Sequence, residues 1–283
     1  MIKKINFIAG IICLIDPWFL EKLAQLAGFI FYLISPAKRE IARKNVDIIT
    51  GSENKKLVLR IFINIIMNII EFLRVWRLGI QSIIIRTEIQ GFENFSTDGQ
   101  GVILVTGHIG IWDIAAKYLA HLGYNIGAVA EFKGVSASHY DFMLEIRGYP
   151  EVKIFPLEDY GISGKILRFL KKEQGILALL GDRDLHNTGE TVRFFNEIVK
   201  LPVGPARLAV RLNLPVVIGY VVRSKSWRYL AMVSKPLSHS RCGDREKDIK
   251  NLHEKIAKSL ENVITKYPDQ WLNFYPPWKM DEK

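Results

Sequence analysis

Residues Gly101–Gly123 read GVILVTGHIGIWDIAAKYLAHLG and predict a buried strand that leads through a glycine-containing turn into a helix. The apolar run Val102–Val105 has the length of a fully buried strand, and a helical pattern begins near Ile111. His108 precedes this helix and Asp113 lies in its first turn, so the carboxylate can reach back to the imidazole. A base, an orienting acid and helix N-terminal amides would then face one space.

Two interpretations of this stretch stay open on spacing alone. A neighbouring histidine and aspartate also occur as a capped helix beside a hydrogen-bonded structural histidine. Placement after a strand favours a functional site, because ligands of open α/β sheets bind at the carboxyl ends of strands. Gly107 and Gly110 remove side chains from the turn, which allows a tight bend and the close approach of a substrate.

The chain has 283 residues, of which 49% are hydrophobic, and a formal net charge of +10. Its length suits one large domain, alone or with an appended helical part. Most of the excess charge lies in the first quarter, since Met1–Arg77 holds 12 Lys/Arg against 6 Asp/Glu. No zinc-finger spacing, RNA-recognition signature or Arg-rich tail is present, so the basic charge points to a membrane surface and not to nucleic acid. Cys13 and Cys242 have no paired spacing, which fits a reducing compartment.

The apolar N-terminus resembles a signal peptide but lacks its cleavage site, and it is short for a membrane span. The stretch Met1–Ile15 is followed by Asp16 and Pro17, with no small-residue cleavage site. The uncharged run Leu23–Ala37 is shorter than the roughly 20 residues that a span needs. We predict that residues 1–36 form hydrophobic helices that attach to a membrane surface; burial of these helices in the protein is the alternative. A basic cluster next to them would help attachment: Lys38, Arg39, Arg43 and Lys44.

Residues 37–283 are predicted to form a single α/β domain. Leu57–Trp76 reads as an apolar helix with one narrow polar stripe that includes Asn64, Asn68 and Glu71 and is structural in role. After it, strands and helices alternate, which predicts a mainly parallel central sheet flanked by helices, with the hydrophobic helices as an N-terminal appendage. The further predicted strands are Ile83–Ile89, Asn125–Ala130, Lys153–Phe155, Ile176–Leu180, Pro215–Val222 and Tyr229–Val233, and the further helices are Ser138–Arg147, Ser163–Glu173, Gly204–Leu212 and Arg245–Lys266.

Several familiar sites are missing from the sequence. There is no G-x-S-x-G elbow, no G-x-G-x-x-G, no P-loop and no H-E-x-x-H. An ordinary serine hydrolase, a simple nucleotide site and a zinc site therefore lack support, and we predict neither a metal nor a cofactor.

Charged residues instead follow predicted strands. Glu131 ends one strand, and Asp182, Arg183 and Asp184 follow another. Unpaired charges are too costly to bury, so these residues form either a self-satisfied ion-pair cluster or part of one cleft with the histidine. Arg147 is suited to bind a phosphate bidentately; a solvated charge at a helix end is its alternative.

Four sequence blocks resemble one known group of enzymes. GHIGIWD matches the H-x-x-x-x-D/E motif of the glycerolipid and lipid A acyltransferase superfamily. GDRDL with TVRFFNE, LPVGPARLAVRLNLPVV and YPDQWLNFYPPW are similar to the late acyltransferases of lipid A biosynthesis and to the phosphatidylinositol mannoside acyltransferases. The resemblance runs from about Ala37 to Trp278.

The resemblance leaves the acceptor open between a lipid A precursor, an inositol mannoside and another glycolipid. Many lipid A enzymes carry Glu where this chain has Asp113, and GDRDL is closer to the mannoside group. The F-P-E-G block of glycerophosphate acyltransferases is absent, which disfavours lysophosphatidate.

The resemblance implies transfer of a fatty acyl group from an acyl carrier protein or coenzyme A thioester to a hydroxyl of a glycolipid. It makes His108 the general base and Asp113 its orienting partner. Amides around Gly110 and the helix start would hold the oxyanion, and the expected place is the cytoplasmic face of a bacterial inner membrane. A non-catalytic basic lipid-binding protein and a thioester or lipid hydrolase are the alternatives. Positioning of substrate and binding of phosphate would fall to the remaining polar residues: Glu131, Arg147, Asp182, Arg183 and Asp184.

Overall fold

The computed structural model describes residues 2–95, 99–132, 151–184, 188–238, 242–275 and 278. The described helices are α1 (Ile2–Leu14), α2 (Pro17–Ile34), α3 (Pro36–Thr50), α4 (Lys55–Leu78), α5 (Gln81–Ile84), α6 (Trp112–His121), α7 (Ile162–Lys171), α8 (Gly204–Leu212) and α9 (Arg245–Lys266). The described strands are β1 (Thr87–Gln90), β2 (Val102–Thr106), β3 (Ile126–Ala130), β4 (Lys153–Pro156), β5 (Ile176–Leu180), β6 (Glu190–Phe194), β7 (Glu197–Leu201), β8 (Val216–Lys225) and β9 (Arg228–Val233).

A seven-stranded sheet in the order β1-β9-β8-β2-β5-β3-β4 forms the centre of the molecule. Every neighbouring pair is parallel except the β8–β9 hairpin. Helix α6 packs on one face with α4 and α5 beside it, and α7, α8 and α9 cover the other face. The predicted mainly parallel α/β architecture is confirmed.

The core strand β2 is apolar on both faces because both faces are covered. Val102 to Val105 are all buried, as expected of a strand inside a parallel sheet with helices on either side. Ile103 and Val105 pack toward α8 and α9, whereas Leu104 packs toward α6. The carboxyl end of β2 lies at the same edge of the sheet as the carboxyl ends of its parallel neighbours β5 and β8.

Most predicted elements are present with shifted ends, and two regions differ. Ile83 lies in the short helix α5, so the strand predicted over Ile83–Ile89 begins only at Thr87. The hairpin of β6 and β7 was not predicted; it turns at Phe195 and Asn196, both with positive φ, as the tight hairpin turns that match strand twist require. The helix predicted over Ser138–Arg147 lies outside the described residues.

The N-terminal helices pack against α4 along one side. Asp16 caps α2 by accepting a hydrogen bond from the Trp18 amide at 2.8 Å, and Pro17 starts the helix, so the chain bends there. Gly28 lets α2 approach α4 closely, since a Cβ there would lie 2.7 Å from the Ile63 Cα. The outward side carries a row of exposed apolar side chains: Phe7, Ile8, Ile11, Leu14, Trp18, Phe19, Leu23, Leu26, Phe29, Ile30, Leu33 and Ile34.

Among the described residues, no single helix is both long and apolar enough to cross a bilayer. Helices α2 and α3 taken together are long and apolar enough, but the chain bends by 101° between them.

Candidate active site

Strand pairing brings His108 to Asp182. Strands β2 and β5 are parallel neighbours in a register that pairs Thr106 with Leu180. His108 follows β2 by two residues and Asp182 follows β5 by two, so both arrive at the same level beyond the sheet edge. The Nδ1 of His108 lies 2.8 Å from Oδ1 of Asp182, and the His108 amide donates to Oδ2 at 2.9 Å. Gly107 leaves room for this contact, since a Cβ there would lie 3.2 Å from the carboxylate.

A third donor completes the surroundings of the Asp182 carboxylate. The indole Nε1 of Trp271 donates to Oδ2 at 2.8 Å, and both side chains are buried. Burial by itself would raise the pKa of Asp182, but attraction to the protonated form of His108 and the hydrogen bonds from His108 and Trp271 outweigh it and hold the pKa below its ordinary value. The group is therefore a buried carboxylate anion that accepts three hydrogen bonds.

This carboxylate sets the tautomer of the histidine. An ionised carboxylate can only accept, so Nδ1 carries the proton and Nε2 keeps its lone pair. The His108 ring lines a large cavity and stands 5.3 Å from the ring of Trp112. With Nδ1 held by Asp182, Nε2 is the nitrogen that a substrate proton can reach. A histidine held in this way can act as a general base with an orienting acid.

Asp113 was predicted to orient the imidazole of His108. In the structure, the carboxylate that contacts this imidazole belongs to Asp182. Asp113 lies in the first turn of α6, is exposed and lines the large cavity. Its carboxylate is thus at the cavity wall, whereas the one bonded to the imidazole follows β5.

The amides around Gly110 are already used inside the protein. Ile109 donates to the Gly107 oxygen, Gly110 to the Gln270 oxygen at 2.9 Å, and Ile111 to the Val221 oxygen at 2.9 Å. These amides are therefore not available to an oxyanion, and of the predicted oxyanion site only the amides at the start of α6 stay a prediction. Gly110 has a φ of +61°, and a Cβ on it would lie 1.9 Å from a backbone oxygen of β8.

The loop that carries His108 is clamped from two sides. Leu272 donates its amide to the His108 oxygen at 2.8 Å, and Ile109 forms an antiparallel bridge with Trp271. From α4, the Asn68 side-chain amide donates to the Gly110 oxygen at 2.5 Å. The polar stripe of α4, which was predicted to be structural, therefore reaches the histidine loop through Asn68, and no role was predicted for Trp271. The YPDQWLNFYPPW block was the available signal for Trp271.

Arg223 joins the same clamp from β8. Its guanidinium donates to the Oδ1 atoms of Asn64 and Asn68 at 2.7 and 3.1 Å. The backbone of Arg223 exchanges two hydrogen bonds with the side chain of Gln270. Helix α4, β8 and the C-terminal segment are therefore fixed to one another beside the histidine loop.

Three of the other residues predicted to bind substrate lie on the wall of the large cavity. Glu131, Arg183 and Asp184 all line the large cavity. The carboxylate of Asp184 accepts the amides of Thr188 and Gly189, so it also shapes its own loop. The guanidinium of Arg183 lies 5.3 Å from the ring of Tyr275. Arg147 lies outside the described residues.

The large cavity has a volume of about 1270 Å³ and mainly apolar walls. One part lies under α6 against the sheet and the other between α7 and α8. The first is lined by Leu104, Ala115, Leu119, Ala128, Ala178 and Met232, and the second by Ile162, Ile166, Leu167, Leu208 and Leu212. Besides His108, its lining includes five charged side chains that could contact polar parts of a ligand: Asp113, Glu131, Arg183, Asp184 and Arg211. Among the described residues, no three His, Cys, Asp or Glu side chains are grouped as metal ligands are.

The family model "Bacterial lipid A biosynthesis acyltransferase" matches residues 4–280 of this chain. The chain belongs to this family. Among curated relatives of this lipid A acyltransferase family member, the phosphatidylinositol mannoside acyltransferase of Mycobacterium tuberculosis is 26% identical over 190 residues, 65% of this chain and 56% of the relative. The protein of the same name from Mycolicibacterium smegmatis is 27% identical over 187 residues, 65% of this chain and 58% of the relative. The matched part therefore spans little more than half the length of these relatives.

A solved structure is also similar to this family member in part. The 1-acyl-sn-glycerophosphate acyltransferase PlsC from Thermotoga maritima aligns with a TM-score of 0.40 and 11% sequence identity, covering 88% of this chain and 98% of that one.

Proposed function

We propose that this protein transfers a fatty acyl group from a thioester donor to a hydroxyl group of a glycolipid. The observation that carries the proposal is the imidazole of His108, held by a buried carboxylate and directed at a large apolar cavity. Membership of the lipid A acyltransferase family and the names of its curated relatives support the same chemistry. The donor is an acyl carrier protein or coenzyme A thioester, and the acceptor is a lipid A precursor or an inositol mannoside-like glycolipid.

In this mechanism Nε2 of His108 takes the proton of the acceptor hydroxyl as its oxygen attacks the thioester carbonyl. The oxygen–carbonyl bond forms, the carbon–sulfur bond breaks, and the proton passes from the imidazolium to the leaving thiolate. Asp182 keeps the reactive tautomer and stabilises the imidazolium. Amides in the first turn of α6 stabilise the negative charge on the carbonyl oxygen, helped by the helix dipole.

The large cavity holds the acyl chain, whose transfer from water to an apolar wall stabilises the complex in proportion to the buried area. Arg183 and Arg211 lie where they can contact the phosphate groups that both donor types carry.

The exposed apolar sides of α1 and α2 support attachment to a membrane surface, where a glycolipid acceptor resides. The basic cluster predicted to assist is only partly available. Arg43 is paired with Glu40, Asp47 and Glu53, whereas Lys38 has no carboxylate partner among the described residues. Attachment therefore rests mainly on the apolar helices, at the cytoplasmic face of the membrane where acyl thioesters are available.

The test is acyl transfer by the purified protein, with lipid mass spectrometry of cells with and without the gene to find the glycolipid that loses one acyl chain. Replacing His108 with alanine should lower the transfer rate by about 10²–10⁴-fold, as expected for loss of a general base. His121→Ala, an exposed histidine at the far end of α6, is the matched control and should keep full activity. Full transfer by the His108 variant would overturn the proposal, and fatty acid release at full rate without acceptor would favour a hydrolase.

A further inference from the structure

A second, smaller cavity of about 370 Å³ lies between the N-terminal helices and the α/β core. Its size falls within the range of small-ligand sites, which is roughly 300–1,000 Å³. Its walls are almost entirely apolar and come from α2, α4, α6 and the C-terminal segment: Phe31, Ile65, Ile69, Phe72, Leu73, Ile111, Ile114, Leu272 and Phe274. The small cavity thus begins beside the helices whose outer sides are exposed and apolar.

The small cavity adjoins the candidate active site. Trp112, Asp113 and Leu272 line both cavities. Trp112 is also the ring that stands against His108. A ligand that extends past these shared residues enters the cavity that the imidazole lines.

Lys38 supplies a cation at this cavity. Its side chain is exposed, and its Nζ lies 5.2 Å from the ring centre of Phe31 and 5.8 Å from that of Phe274. No carboxylate of the described residues lies within 4.0 Å of this nitrogen, in contrast to Arg43, which lies five residues further along α3 and pairs with carboxylates. The rings hold the ammonium beside the cavity and leave its positive charge for an anion from outside.

We infer that the small cavity binds the acceptor: an acyl chain of a phosphate-bearing lipid lies among the apolar walls, and Lys38 contacts its phosphate. The inference rests on the proposed function, because it assigns the large cavity to the donor chain. The acceptor then reaches the site along α2 and α4, from the side with the exposed apolar helices. Its hydroxyl passes Trp112 and Asp113 to meet the donor thioester at His108.

The test separates lipid binding from catalysis. Binding of dihexanoyl phosphatidylinositol, below the concentration at which it forms micelles, is measured calorimetrically in detergent-free buffer, with hexyl glucoside as a neutral probe. Ile69→Trp fills the cavity and should weaken both probes by about tenfold, the loss expected when one or two methylene groups no longer find space. Lys38→Glu should weaken only the phosphate-bearing probe, also by about tenfold.

Two matched controls lie outside the cavity. Ile85→Trp changes another exposed isoleucine, and Lys56→Glu changes another exposed lysine. Both should bind the probes as the unaltered protein does, and thermal melts verify that all four variants fold. Equal binding by the cavity variants and their controls would overturn the inference, as would loss of the neutral probe on Lys38→Glu.

Donor thioester hydrolysis distinguishes this inference from the proposed function. Lys38→Glu and Ile69→Trp should lose transfer to a lipid acceptor while slow hydrolysis of acyl-coenzyme A in its absence stays unchanged. If the unaltered protein bound the phosphate-bearing probe through Lys38 yet never consumed a thioester, the acyltransferase proposal would fail and the lipid site would stand. If it transferred acyl groups with no dependence on either residue, the lipid site would fail and the acyltransferase would stand.

Discussion

Asp182→Asn tests the catalytic argument most directly, because the substitution preserves shape and removes only the charge. The Oδ2 position receives two N–H donors, from the His108 amide and the Trp271 indole, whereas the Oδ1 position faces one imidazole nitrogen. An asparagine oxygen must therefore occupy the Oδ2 position, since an NH₂ group there would face two donors. The NH₂ group then donates to Nδ1 of His108.

This reversal moves the proton of the imidazole from Nδ1 to Nε2. A protonated Nε2 cannot accept the hydroxyl proton, so we expect kcat to fall by about 10³–10⁴-fold, the effect of forcing the wrong tautomer in a comparable triad. All three hydrogen bonds can still form, so the free energy of unfolding should fall by only about 1–2 kcal/mol. KM for the donor should change little, because the cavity walls are unaltered.

The assay combines steady-state transfer kinetics, urea unfolding and nitrogen NMR of the His108 ring, which reports the protonated nitrogen directly. Asp248→Asn is the control, since Asp248 is also buried and accepts a backbone amide, from Cys242 at 3.0 Å, but stands outside the cavity. It should lower stability to a similar degree and leave kcat intact. A folded Asp182→Asn protein whose kcat stays within threefold of the unaltered protein, or whose ring proton remains on Nδ1, would refute the reasoning.

Three further outcomes are expected. Gly110→Ala should destabilise the protein by several kcal/mol in urea unfolding, since it combines a positive φ with a backbone clash, whereas Gly123→Ala, with φ +88° and open space, should cost only about 1–2 kcal/mol. Burial lowers the pKa of His253, so as pH falls the unfolded chain takes up a proton before the folded protein does. The free energy of unfolding should therefore decrease below about pH 6.5, by at most about 1.4 kcal/mol per pH unit. His253→Gln should flatten that part of the pH profile. Serine at Leu14 and Trp18, which are 88% and 63% exposed, should reduce sedimentation with anionic vesicles without changing the melting temperature; unchanged sedimentation would argue against the apolar helices as the attachment surface.

The α/β architecture was readable from the sequence because its strands and helices have distinct local patterns. A parallel strand with both faces covered is a continuous apolar run, as in Val102–Val105, and Arg245–Lys266 shows the period of an amphipathic helix. The β6–β7 hairpin was missed because its turn residues, Phe195 and Asn196, include an aromatic residue that rarely adopts positive φ.

The sequence also predicted that the histidine lies at a strand end. It could not decide which carboxylate contacts the imidazole. Asp113 is five residues away in sequence, and local spacing makes it the obvious neighbour of His108. Asp182 is 74 residues away, and nothing local connects it to the histidine. Spacing gives no signal for Trp271 or Asn68 either, because Trp271 bonds to a residue 89 positions away and Asn68 to one 42 positions away.

The sequence by itself determined the element types, the histidine loop and the set of charged residues at strand ends, since these depend on interactions within a few residues. The tertiary structure decided which carboxylate meets the imidazole. That choice follows from strand order: β2 and β5 are hydrogen-bonded neighbours with Thr106 opposite Leu180, which brings the residues two positions further along, His108 and Asp182, together. Strand order is set by the packing of helices on both faces of the sheet, and no short stretch of the chain encodes it.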